Sequence, residues 1–104
     1  MLNQQTYISR WIMKKTFIGS LICPNGIIGG GISIDEESIT YKTNKLTVDR
    51  RYKNLVLPIN EIREMMWKQF VFPIATIQMA DGEQYKFIIF NKSRFDKYYI
   101  EFKR

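Results

Sequence analysis

The feature that most constrains this chain is a change of period. From Thr16 to Phe90 the apolar residues fall in short runs, several of them alternating, each closed by a turn signal. After Asn91 they recur at three- and four-residue spacing instead. Alternation puts every second side chain on one face of a strand, whereas the longer period draws a stripe along a helix. A chain written this way is expected to be mainly β and to end in one helix.

The individual runs support that reading. Thr16 to Cys23 is apolar and stops at Pro24-Asn25-Gly26, a turn signal. Ile27 to Ile34 contains Gly29-Gly30-Gly31, which suits a strand bending at a barrel corner. A phosphate-cradling loop is the other use of such glycines, but no Lys-Ser/Thr pair and no helical pattern follows. Asp35 to Ser38 reads as a polar turn, and Ile39 to Thr43 alternates with Ile39 and Tyr41 on one face and Lys42 on the other. In Leu55 to Ile59, Leu55, Leu57 and Ile59 share a face, and Pro58 marks an edge or a strand end. Ile62 to Phe72 fits either period; its aromatic and β-branched end favours a strand, with Met66, Lys68 and Phe70 on one face. The surest local feature is Asp81-Gly82 between Ala75–Met79 and Tyr85–Phe90, a hairpin signature.

Phe95, Tyr98, Tyr99 and Phe102 then form one stripe of an amphipathic helix over residues 93–103. Ser93 is the expected N-cap, with Asp96 completing an approximate capping box. The stripe is read as a plug for the barrel in preference to a partner-binding face. Residues 1–15 are read as an extension: Ile8, Trp11 and Ile12 keep helical spacing, which suits a short helix packed on the sheet or a surface-seeking segment.

Composition narrows the chemistry. The 104 residues suit one domain with one core. With no histidine, imidazole acid–base catalysis, His-based triads and most catalytic zinc sites are excluded. A lone cysteine, Cys23, allows neither an intrachain disulfide nor a cysteine-cluster metal site, and its setting after Leu21-Ile22 reads as a structural thiol. Asp35, Glu36 and Glu37 lie consecutively in a turn, a poor arrangement for a positioned acid–base pair. The expectation is a non-enzyme without cofactor or metal. No apolar run approaches the ~20 residues of a membrane span, and Arg10, Lys14 and Lys15 interrupt any signal-peptide core, so a cytoplasmic location, peripheral to a membrane at most, is expected.

Seven candidate strands followed by one amphipathic helix is an order that resembles a pleckstrin-homology-like (PH-like) split barrel. Gly31 to Tyr41 is similar to the glycine, alternating strand, polar turn and aromatic strand of its GRAM branch and bacterial PH-like relatives. Leu57-Pro58-Ile59-Asn60-Glu61-Ile62 resembles that family's "I-P-L-x-D-I" segment, with Glu61 where Asp is usual. Ala75 to Phe90 resembles its last hairpin, and Ser93-Arg94-Phe95-Asp96 the start of its closing helix. Residues 44–54 are more basic than the family's pattern. The resemblance spans about residues 16–102 and implies a bent seven-stranded antiparallel sheet capped by a helix. For function it implies lipid or protein binding only loosely, because the fold hosts many activities. A five-stranded oligonucleotide- or oligosaccharide-binding barrel is the alternative fold, disfavoured because the one convincing helix is C-terminal.

Charge supplies the candidate site. The net charge is +6, and +4 of it lies between Lys42 and Lys53, where Lys42, Lys45, Arg50, Arg51 and Lys53 face a single acid, Asp49. Together with Tyr41 and Tyr52, these residues are the candidate binding site for an anionic headgroup or phosphate, although charge runs are often only a solvated hairpin. The expected function is a non-catalytic module that binds anionic lipid or a membrane surface. A protein-interaction or self-assembly domain, using a sheet edge or the surface near Trp67 and Phe70, is the alternative. Nucleic-acid binding ranks last, because no RNA-recognition or helix-turn-helix pattern accompanies the charge.

Overall fold

The computed structural model describes residues 14–24, 26–45 and 50–103, with Arg50 described by its backbone alone. The expected helical spacing of Ile8, Trp11 and Ile12, Asn25 in the first turn and the acid Asp49 lie outside the described residues. Among the described residues, seven antiparallel strands form one sheet: β1 (Lys15–Cys23), β2 (Gly26–Ile34), β3 (Ser38–Lys42), β4 (Asn54–Pro58), β5 (Ile62–Gln69), β6 (Pro73–Met79) and β7 (Gln84–Ile89). Among the described residues an α-helix, α1 (Lys92–Lys103), follows, and short 3-10 turns lie at Arg50–Tyr52 and Ile59–Glu61. The sheet order is β4-β3-β2-β1-β7-β6-β5, so the sheet curls into a half-barrel with β4 and β5 as its edges. The expected mainly β architecture with a closing C-terminal helix is the one the chain forms.

Alternation decides which face is inside. Phe17 and Leu21, Ile32 and Ile34, Ile39 and Tyr41, Ala75 and Ile77, and Phe87 and Ile89 are all buried on the concave face. β5 obeys the rule only after an irregularity between Ile62 and Glu64. That bulge turns Met65 and Trp67 inward, so Met66 and Lys68 face outward. The Asp81-Gly82 hairpin closes as its residues dictate. Gly82 supplies a positive φ of 94°, and the Asp81 carboxylate accepts the Glu83 N–H at 2.9 Å. At the β2–β3 turn, the Asp35 carboxylate accepts the N–H groups of Glu37 and Ser38 at 2.8 and 2.9 Å.

The glycine run does not break the strand: β2 is continuous from Gly26 to Ile34. Its structural position is Gly30, which pairs with Gly19 of β1 on the concave face. A Cβ on Gly30 would meet the Lys42 carbonyl and lie 2.8 Å from the Tyr41 ring; one on Gly19 would lie 2.6 Å from the Ile88 carbonyl. Bare backbone here lets neighbouring strands close over one another, and the Tyr41 hydroxyl reaches the Ile28 carbonyl at 2.8 Å.

α1 begins one residue earlier than expected, at Lys92, because Asn91 takes a left-handed φ of 66° that ends the strand and turns the chain into the helix. Ser93 therefore lies within the first turn and not at the cap. Asp96 does not complete a capping box but binds across to β5, where its carboxylate accepts the Trp67 indole N–H at 3.0 Å. The aromatic stripe faces the core as expected. Phe95 is fully buried, and Tyr98, Tyr99 and Phe102 are half-buried against the core. At the far end, the Lys103 ammonium donates to the carbonyls of Ile59, at 3.0 Å, and Ile62, at 2.6 Å. The helix is thus fastened to β5 at its start and to the β4–β5 connection at its end. No described helix is long and apolar enough to cross a membrane.

An inner and an outer glycine of β2 make a direct comparison. Gly30→Ala is expected to lower the unfolding free energy by about 1–3 kcal/mol, the range for overpacking. Gly31→Ala places its Cβ in open space and is expected to change stability by less than about 0.5 kcal/mol. Urea unfolding followed by circular dichroism measures both; equal losses would show that the close approach at Gly30 is immaterial.

Candidate functional site

Among the described side chains, the basic residues proposed from the sequence are placed by different local structures, with Lys42 and Lys45 at one hollow and Arg51 at another. Lys42 is the last residue of β3 and points away from the core, because its neighbour Tyr41 points in. Beyond it the chain is held by Thr43, whose hydroxyl donates to the Gly29 carbonyl at 2.8 Å and accepts the Lys45 N–H at 3.3 Å. This arrangement brings Lys42 and Lys45 to the same hollow, about 450 Å³, lined by Gly29, Gly30, Thr43 and Asn44. Two of its lining residues, Gly29 and Gly30, carry no side chain, so an anion there meets the two ammonium groups with little side-chain obstruction.

Arg51 belongs elsewhere. It sits in the 3-10 turn before β4, its guanidinium 4.8 Å from the centroid of the Tyr52 ring. With Tyr52 it lines a second hollow, about 360 Å³, together with Cys23, Leu55, Glu83 and Tyr85. Glu83 makes this hollow mixed in charge, unlike the first. Lys53 is half-buried, and its carbonyl accepts the Thr43 N–H at 3.0 Å, so its backbone braces the first hollow. Of the five proposed cations, the structure brings together Lys42 and Lys45 and puts Arg51 in a separate setting. The side chain of Arg50 lies outside the described residues.

Cys23 stands at the mouth of the second hollow, half-buried and packed against the core edge. Burial pushes its thiol pKa above the usual value, with the Arg51 guanidinium pulling weakly the other way. Burial likewise pushes the Tyr85 hydroxyl up, reinforced by Glu83 and Asp81. Both groups are therefore protonated near neutral pH, which disfavours nucleophilic chemistry in this hollow. Among the described residues, no three Asp, Glu or Cys side chains gather to hold a metal.

The sequence reading missed the outer face of the sheet. Ile18, Ile27, Phe72 and Phe90 are all exposed there. A sheet covered on one face ordinarily carries polar residues on the other. The available signal was parity: Ile18 is out of phase with inward Phe17, as Phe90 is with inward Ile89. No protein-family model matches the chain, and no curated protein matches its sequence.

The thiol setting is checked by labelling of Cys23 with iodoacetamide. Slow reaction at neutral pH, rising steeply only above the ordinary thiol pKa, is expected. Arg51→Ala should slow it further, because the cation that favours thiolate is gone. Faster labelling of the variant would contradict the assigned electrostatics.

Proposed function

We propose that this chain is a non-catalytic binding module of the PH/GRAM-like type, and that it engages an anionic membrane surface. The observation that carries the reading is the hollow beside Gly29. There Lys42 and Lys45 are positioned by the bonds of Thr43 over bare glycine backbone. A curled seven-stranded sheet closed by a C-terminal helix supports the family resemblance. The protonated state of Cys23 and the engagement of Asp35 by backbone N–H groups favour binding over catalysis. Lysine ammonium groups near an anionic bilayer contribute about 1 kcal/mol each and leave the headgroup unspecified, as point charges do.

Co-sedimentation with vesicles of phosphatidylcholine and phosphatidylglycerol tests this reading. Lys42→Glu with Lys45→Glu should weaken binding at least about tenfold. Lys97→Glu, an exposed helix position, should change it far less. Equal losses from both would mean that net charge alone drives association and that the hollow is not a site.

The exposed Phe70 and Val71 of the β5–β6 turn favour a second reading, a protein-interaction or self-assembly domain without a lipid role. Light scattering that shows a strict monomer at high concentration would remove self-assembly.

A further inference from the structure

The outer face of the sheet carries one row of residues that strand register assembles from distant parts of the chain. Lys42 pairs with Gly31, and Gly31 pairs with Ile18. Ile18 lies beside Phe90, whose N–H donates to the Ile18 carbonyl at 3.2 Å. The Phe90 ring meets that of Phe72 edge-on, with centroids 5.4 Å apart. The row thus runs from a lysine, across a bare glycine, to three apolar side chains. Ile18 is 75% exposed, Phe72 45% and Phe90 41%.

Two neighbouring rows also carry a lysine, although Ile88 in the first is buried and Ile22, Ile74 and Thr76 are only partly exposed. Gly29, Ser20, Ile88, Ile74 and Lys68 lie in cross-strand register, and so do Ile27, Ile22, Lys86 and Thr76. Lysines therefore border the apolar strip on both sides: Lys42 and Lys45 toward β3, Lys68 and Lys86 toward β5 and β7. Among the described residues, this face meets carboxylates at two corners: Glu64 on β5, beyond Met66, and Asp35 just past β2, whose carboxylate is engaged by the Glu37 and Ser38 N–H groups. The acids Glu36 and Glu37 lie elsewhere, beside Phe102 and Lys103 at the end of the helix.

We infer that this outer face lies flat on an anionic bilayer, with Ile18, Phe72 and Phe90 entering the interfacial region while the bordering lysines meet headgroup phosphates. The inference rests on the membrane-surface reading above and adds the apolar half of the contact. Charge complementarity selects the occupant. A purely protein-facing apolar patch has no need of a cationic border, whereas peripheral membrane surfaces combine buried apolar area with Lys and Arg attraction to anionic lipid. Phenylalanine also suits the boundary between headgroups and chains. The glycines at 29 and 31 keep the face low between its lysine border and its apolar strip, so both can reach one plane.

The test uses the full chain and vesicles of phosphatidylcholine, with and without phosphatidylglycerol, at about 0.1 M and about 0.5 M salt. The wild type should bind only the phosphatidylglycerol vesicles at low salt and keep a salt-resistant share at high salt. Phe72→Ser with Phe90→Ser should lose that share and weaken low-salt binding by roughly tenfold or more. Both positions are exposed, so an unchanged urea midpoint will show that the variant folds. If the Ser variant binds like the wild type at both salts while Lys42→Glu with Lys45→Glu does not, the apolar contact is overturned and the membrane reading stands. If the wild type binds neither vesicle, both fall. If light scattering shows a dimer that the Ser variant converts to monomer with lipid binding unchanged, the face belongs to a second copy and the inference is overturned.

Discussion

Phe95 is the side chain through which the two sides of the curled sheet are joined. Its ring meets Phe17 of β1 edge-on, with centroids 5.1 Å apart, and Trp67 of β5 at 6.2 Å. A half-barrel of seven strands leaves its concave face open, and an open apolar face in water would cost more than the strand ladders can offset. α1 covers it, and the indole bond to Asp96 and the Lys103 bonds to two carbonyls fix the helix over the gap. The bare backbone of Gly19 and Gly30 leaves room beneath the helix for Ile32 and Tyr41 to pack against the neighbouring strands.

Covering the concave face has a consequence for function. In many small barrels the interior or its mouth holds the ligand, but here the interior is filled by Phe95, Phe87, Tyr41 and their neighbours. Recognition is left to the rims and to the outer face. The rim hollow around Cys23 mixes Arg51 with Glu83, and burial raises the pKa of its Cys23 thiol and Tyr85 hydroxyl. The outer face has the simpler chemistry, lysine around glycine and apolar side chains, and it is continuous with the hollow that holds Lys42 and Lys45. Headgroup capture and apolar contact can therefore act on one surface.

Features encoded within a few residues were legible in the sequence. The Asp81-Gly82 turn, the inward alternation of Ile39 and Tyr41 and the helix stripe each depend on local backbone preference, and each is where its spacing placed it. The helix start was misplaced by one residue because the left-handed Asn91, and not the better capping residue Ser93, sets the turn. The face of β5 depended on a bulge that no residue type announces. The candidate site was half legible. Lys42 and Lys45 share a hollow because Thr43 holds both, whereas Arg51 is close in sequence and set apart by the 3-10 turn. The row from Lys42 to Phe72 was illegible because it exists only in the register of β3, β2 and β1 and in the contacts of Phe90, just past β7, with Ile18 and Phe72. Outward Ile18 and Phe90, taken alone, look like strand residues buried on both faces.

With the outer sheet face on the bilayer, the helix side stays in water. Amide NMR of the chain on anionic nanodiscs that carry a headgroup spin label tests that orientation most directly. Broadening should concentrate at Ile18, Lys42, Phe72 and Phe90 and spare Glu36, Lys97 and Glu101. Broadening confined to the helix side, or spread evenly over the surface, would contradict the account.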